Sequence, residues 1–301
     1  MSETRVSQPF HDRVTTWHDW EQEVEVTQVR VGSEAKPRDF IDRSRGIAFR
    51  IHTADHPFDF FSPRHRHTFD QVRYMINGSV RYGDRTYVEG DCIYIPAGCT
   101  YGPMQLTDSK ENFKHFNIQY QGIAGIPYYP PTEFVESRRA LMAQGKFHHG
   151  TFTWGDGRQQ DAFEVLLEHK TGKPVKYPEP PYEDYVVVRG RNVAWRPAIG
   201  YPGIEVKHLG HFTEVGPHIQ LVRMAPGTKT PEGRVAHQEI RCYISGKVRF
   251  AESQDRTYGE TTLRYIPPGV SYGWTECLEE ATYVIVRWAP DGQTYAPAFA
   301  L

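Results

Sequence analysis

Four cysteines are spread over 301 residues, Cys92, Cys99, Cys242 and Cys277, and no two stand in a CxxC pair. That scarcity excludes a zinc knuckle and a disulfide-dense secreted scaffold, leaving small buried thiols as the reading. No apolar run approaches the roughly 18 residues that a membrane-spanning helix needs. Met1 to Trp20 alternate polar, charged and aromatic types without the apolar core of an export signal, so the expectation is a soluble cytoplasmic protein with no membrane partner. Excess charge is missing too: 35 Lys and Arg stand against 37 Asp and Glu. Without a basic field to hold a phosphate backbone, nucleic acid is not an expected partner.

Turns and rings are plentiful instead. Gly (26) and Pro (22) exceed the usual share of roughly 12%, and aromatics reach 13%. That composition favours many short strands over long helices. Short alternating segments bounded by Gly, Pro, Asp or Asn run through Val24 to Val31, Ile47 to Ile51, Val72 to Ile76, Val80 to Tyr82, Cys92 to Ile95 and His115 to Tyr120. Two middle segments read as the only sizeable helices. One opens at Pro131 and runs through Phe134, Val135, Leu141 and Met142 to a stop at Gly145; the other runs from Asp161 to His169 before Gly172. Proline-rich stretches at Pro127–Pro131 and Lys173–Pro181 read as connectors.

An internal repeat organises the rest. Gln71 to Gly78 (QVRYMING), Asp84 to Tyr87 (DRTY) and Tyr94 to Gly102 (YIPAGCTYG) recur in order. Their counterparts are Glu239 to Gly246 (EIRCYISG), Asp255 to Tyr258 (DRTY) and Tyr265 to Gly273 (YIPPGVSYG). The first blocks are 168 residues apart and the last 171, so one three-residue insertion keeps the whole register. A spacing that long exceeds any solenoid unit, which predicts two copies of one all-β domain.

Both blocks resemble the conserved motifs of the cupin superfamily: His-x-His, a Glu a few residues on and a Gly, then a second motif with Pro-x-Gly-x-x-His. The first copy presents His65-Arg-His67, Gln71 and Gly78, then Gly90, Pro96, Gly98 and Tyr101. The resemblance covers about residues 40–122 and 195–290 and implies a bicupin: a mostly β protein of two tandem double-stranded β-helix, or jelly-roll, barrels with a helical and proline-rich connector. The boundaries it suggests are an N-terminal segment 1–23, a first barrel 24–122, a connector 123–190, a second barrel 191–290 and a tail 291–301. It also implies a small-molecule ligand and a homodimer joined through sheet edges.

Strand geometry gives the pattern its chemistry. Side chains at even spacing share a face, so His65, His67 and Gln71 can converge on one interior point, with the Pro96–Gly98 turn returning Tyr101 beside them. Two imidazoles and an oxygen donor facing a protected cavity match the facial arrangement used by non-haem iron, with Mn, Ni, Co or Zn also fitting. The set departs from the family at two places. Gln71 stands where the family has Glu, removing a charge, and Tyr101 replaces the last His with a phenol that binds a metal only when ionised. The alternatives are a divalent metal on His65, His67 and Gln71, or a pocket that keeps its histidines for hydrogen bonding to an organic ligand.

The second copy departs further, with Gly233 and Val235 at the histidine positions, Glu239 at the carboxylate position and Tyr272 at the last. A carboxylate and a phenol do not hold a divalent metal, so none is expected there, and Glu239, Arg241 and Tyr272 mark that pocket. Arg73 and Arg241 fall two residues after Gln71 and Glu239 on the same face. A buried guanidinium requires a partner, either an internal ion pair such as Arg241 with Glu239 or the carboxylate or enolate of a ligand. His115 reads as a structural histidine that could also face inward as a substitute donor. His208, His211 and His218 read as loop or surface residues, because His-x-x-His is not a strand-face pair. The resulting expectation is a protein that acts on or binds a small acidic or phenolic metabolite in the first barrel. Tyr101 and Arg73 would be catalytic there, and Gln71, Tyr101, Arg73 and His115 would contact substrate. Metal-dependent dioxygenase-like, lyase or isomerase chemistry is set against a metal-free binding or structural protein.

Overall fold

A computed structural model describes residues 64–107, 113–120, 134–148 and 151–288, except 215, 261 and 267, together with short strands nearer the N-terminus. Most of the expected N-terminal segment, most of Val24 to Val31, the Pro127–Pro131 stretch and the C-terminal tail lie outside the described residues. The chain divides into two compact units, His11–Val187 and Val188–Leu301, the latter taking Met1–Phe10 with it.

In the first unit the strands are β1 (Ile47–His56), β2 (Asp70–Asn77), β3 (Ser79–Tyr82), β4 (Arg85–Val88), β5 (Asp91–Ile95), β6 (Met104–Leu106) and β7 (Phe113–Tyr120). One antiparallel sheet runs β5–β2–β7–β1 and a second runs β6–β3–β4. The period-2 patterning of Gln71 to Ile76 becomes two covered faces. Gln71, Arg73 and Met75 form one row of β2 and Asp70, Val72 and Tyr74 the other, all buried. Met75, Val80, Tyr82, Tyr87, Ile93, Ile95, Tyr101, Met104 and Phe113 make the apolar interior. The four cysteines are buried free thiols.

The two expected helices are α1 (Val135–Met142) and α2 (Ala162–Thr171). Asp161 caps α2, its side chain accepting from the Glu164 amide at 2.9 Å, and Gly172 closes it in the left-handed conformation. The first helix ends at Met142, short of Gly145, because Gly145 opens a strand paired with Thr151–Trp154. Phe134, Leu141, Phe152, Val165, Leu166 and Leu167 pack together as a satellite core.

In the second unit β8 (Ile204–His211), β9 (His218–Met224), β10 (Gln238–Phe250), β11 (Ser253–Tyr258), β12 (Leu263–Ile266) and β13 (Thr275–Trp288) build the matching barrel. Its sheet runs β12–β10–β13–β9–β8, and the N-terminal pair Arg5–Val6 adds to the free edge of β12. Strand registers reproduce the repeat. Gln71 faces Ile95 and Gln119 in the first barrel, and Glu239 faces Ile266 and Arg287 in the second.

The expectation of loop or surface positions holds for His211, which is exposed, and is corrected for His208 and His218. They lie on β8 and β9, and His218 is buried. A register shift between His208 and Gly210 inserts one residue, which sets His208 and His211 toward the same neighbour. His208 Nδ1 lies 3.3 Å from His218 Nε2, and the His211 ring centroid is 5.8 Å from that of His218.

Candidate functional site

Two short backbone bridges set the first site. His65 and Tyr101 exchange N–H···O=C bonds of 3.0 and 2.9 Å, and the Gly98 amide donates to the His67 carbonyl at 2.8 Å. Gly98 has φ of +83°, and a Cβ there would fall 2.0 Å from the Pro178 carbonyl oxygen, so only glycine closes this turn. The bridges bring His65, His67 and Tyr101 together: the His65 ring centroid is 4.9 Å from that of His67 and 4.4 Å from that of Tyr101.

Side-chain hydrogen bonds then centre on the Tyr101 phenol. Its oxygen accepts from Arg73 Nη2 at 2.9 Å and Gln71 Nε2 at 3.1 Å, and lies 3.1 Å from His67 Nε2. The phenol hydrogen has two acceptors in reach, His67 Nε2 at 3.1 Å and Gln71 Oε1 at 3.4 Å. Burial, then His65 and Arg73, hold the His67 pKa well below the ordinary imidazole value, so the ring is neutral. Burial also raises the Tyr101 pKa, against the opposing pull of Arg73, so the phenol keeps its proton.

Arg73 is only 5% exposed, and its bonds go to neutral groups: Nη1 donates to Tyr82 Oη at 2.6 Å and Met104 Sδ at 3.0 Å, Nη2 to Gln71 Oε1 at 3.0 Å and to Tyr101. Burial, opposed by Arg73, pushes the Tyr82 phenol up to about 12, so neither tyrosine supplies a negative charge. Arg73 Nε and His67 Nδ1 are buried without a hydrogen-bond partner among the described residues. The first barrel therefore holds a buried positive charge with no described counter-ion.

The donor set does not fit a divalent metal. Gln71 Oε1 accepts from Arg73 and lies 3.4 Å from the Gln119 amide nitrogen, while a guanidinium rests on the Tyr101 oxygen. The oxygens a cation would need are already held by a cation. Among the described residues no group of three His, Cys, Asp or Glu side chains is arranged to hold a metal ion.

His115 is buried on β7 and stacks on Phe113 at 5.1 Å. Two further residues of β7 face the site strands: Asn117 opposite Arg73 and Gln119 opposite Gln71. Sequence reasoning missed both, as well as Tyr82 and Met104, although the even spacing of Asn117 and Gln119 from His115 was a usable signal. Phe163 of α2 was missed too; its ring meets His67 edge-on at 5.1 Å, while Phe69 stacks on the same imidazole at 4.5 Å. The helix read as a connector thus covers part of the site.

In the second barrel the same bridges recur with different side chains. Gly233 pairs with Tyr272, and the Gly269 amide donates to the Val235 carbonyl at 2.7 Å. Glu239, fully buried, lies between Arg241, whose Nε donates to Oε1 at 2.5 Å, and Arg287 on Oε2. Burial alone would raise the Glu239 pKa, but the two guanidinium groups outweigh it and hold the carboxyl at about 2. Arg241 lies 4.6 Å over the Tyr272 ring.

No protein-family model matches the sequence, and no curated protein matches it. Solved structures do. A "putative dioxygenase" from Nostoc punctiforme superposes with a TM-score of 0.57 at 13% identity, over 87% of this chain and 77% of its own. HEPD of Streptomyces albus, solved with 2-hydroxyethylphosphonate and Fe(II) bound, gives 0.50 at 14% identity, over 88% of this chain and 73% of its own. At such identities the likeness is one of fold. The architecture is a tandem pair of cupin-type jelly rolls.

Proposed function

We propose that the first barrel binds a small acidic, oxygen-bearing metabolite without a metal, its carboxylate or other oxyanion on Arg73, and that Tyr101 and His67 move a proton at the bound molecule. The observation that carries this reading is the buried Arg73 guanidinium, which has no acidic partner among the described residues. An anionic ligand supplies the missing charge and takes up the unpartnered Nε. Tyr101 Oη, held protonated, is placed to give its proton to the ligand, and neutral His67, 3.1 Å away, is the adjoining base. Gln71 orients the phenol and Gln119 orients Gln71. Lyase or isomerase chemistry suits such a pair, since both need a proton added and removed without an electron acceptor. The Streptomyces albus protein shows the fold serving an anionic substrate, a phosphonate.

Calorimetric titration of the full chain with small carboxylates such as malonate and salicylate tests the reading, alongside elemental analysis of the purified protein. Binding that weakens on the order of 30-fold in Arg73→Met, as the loss of one charge-assisted contact implies, is the expected outcome. One equivalent of transition metal in the parent that disappears in a His65→Ala/His67→Ala variant would overturn the metal-free assignment and favour the oxygenase-like alternative.

A further inference from the structure

The second barrel carries its own excess of positive charge, and its register shows where. Arg241 on β10 faces Arg264 on β12, and both are buried, at 1% and 0% exposure. In the first barrel the residue opposite Arg73 is Ile93. Arg264 fills the ground that Arg73 occupies there. It donates to Thr275 at 3.0 Å and lies 4.7 Å over Phe250, whereas Arg73 bonds the corresponding residues, Met104 and Tyr82. Three guanidinium groups, Arg241, Arg264 and Arg287, meet two carboxylates, Glu239 and Glu252, and the Glu252 side chain is 34% exposed at the rim. Among these described groups one positive charge is left over in the buried interior.

The unused hydrogen-bonding capacity lies in the same place. Arg241 Nη1, Arg264 Nε and the Tyr283 hydroxyl are buried without a hydrogen-bond partner among the described residues. Tyr283 is fully buried, pairs in register with Tyr243 and packs on it in a tilted arrangement with ring centroids 4.8 Å apart, and Arg241 lies within electrostatic range of both rings and of Tyr272. All three are donors, two of them on cations that face each other. Like charges brought together out of water are unfavourable unless an anion joins them.

We propose that the second barrel is a separate binding site for a small oxyanion, a carboxylate or phosphoryl group, bridging Arg241 and Arg264 with the Tyr283 hydroxyl as a third donor. Glu239 and Arg287 form the floor that fixes Arg241 in place. The inference is independent of the reading of the first barrel, since none of its residues belongs to that barrel.

Inorganic phosphate and malonate are titrated calorimetrically into the full chain and three variants. Arg264→Ile installs the first barrel's residue and is expected to weaken one anion equivalent by at least ~30-fold. Tyr283→Phe keeps the packing and removes only the hydroxyl, and weakens the same equivalent several-fold with an unchanged circular dichroism spectrum. Arg73→Met leaves that equivalent untouched whatever it does to the other. Crystals soaked in selenate place an anomalous peak between Arg241 and Arg264. A parent that binds neither probe, or an equivalent indifferent to Tyr283→Phe and Arg264→Ile alike, overturns the proposal. Should Arg264→Ile fail to fold, Tyr283→Phe and the selenate position decide it.

Discussion

The two barrels share a register and differ in how they handle an arginine at the same place. Arg73 rests on an amide, two phenols and a thioether, while Arg241 rests on a carboxylate that a second arginine also grips. The exchange of Gln71 for Glu239, with Gln119 replaced by Arg287 opposite it, accounts for that difference in partners. Where the carboxylate is present, the guanidinium is tied to it through Nε and leaves Nη1 over; where it is absent, the guanidinium has only neutral partners among the described residues. Position in a shared fold thus fixes which side chains meet, and the charge of one neighbour fixes what the meeting is for.

The sharpest test of that contrast is Glu239→Gln. It leaves two buried guanidinium groups without their carboxylate and is expected to destabilise the protein by ~3–5 kcal/mol in urea titration, whereas Gln71→Glu stabilises and weakens carboxylate binding. A loss too small to measure in Glu239→Gln would erase the distinction. Acid comes next. The carboxyl of Glu239 is lowered from an ordinary 4.5 to about 2, so its contribution is whole above pH 4.5 and is lost as pH falls toward 2. The stability gap between the parent and Glu239→Gln should therefore narrow across that interval and stay constant above it. Arginine replacement follows: Arg241→Met strands part of the Glu239 charge and costs roughly 1–3 kcal/mol, while Arg73→Met, which strands no charge, is neutral or stabilising. A like cost at both positions would mean that Arg73 also has a buried acidic partner. Smallest is Tyr101→Phe, worth about 1 kcal/mol of stability because Gln71 and Arg73 retain each other. Its larger effect falls on turnover, with binding reduced only a few-fold.

Much of this was readable from residue order. The repeated QVRYMING and EIRCYISG blocks gave both barrels, because spacing and turn glycines survive where side chains do not. Even spacing grouped Gln71 with Arg73 and Glu239 with Arg241. The partners that decide their chemistry were out of reach: Arg264 and Arg287 lie on strands whose first-barrel residues, Ile93 and Gln119, carry no charge, so the repeat gives no hint of them. Only hydrogen-bond register brings them to the site. His208 was misplaced for a related reason, since a one-residue bulge shifts the alternation on which strand reading depends. Metal chemistry was suggested by the two imidazoles, but whether their neighbours are anions or cations is a matter of contact rather than spacing.

Both sites hang from main-chain bridges that do not depend on what they carry. The bond pair joining His65 to Tyr101 and the bond from Gly98 to His67 have counterparts at Gly233 with Tyr272 and Gly269 with Val235, where no imidazole is present. Such a frame decouples evolvability from foldability: side chains can be traded along it one at a time, so catalysis can lapse in one lobe and be reinvented in the other while the backbone keeps its course.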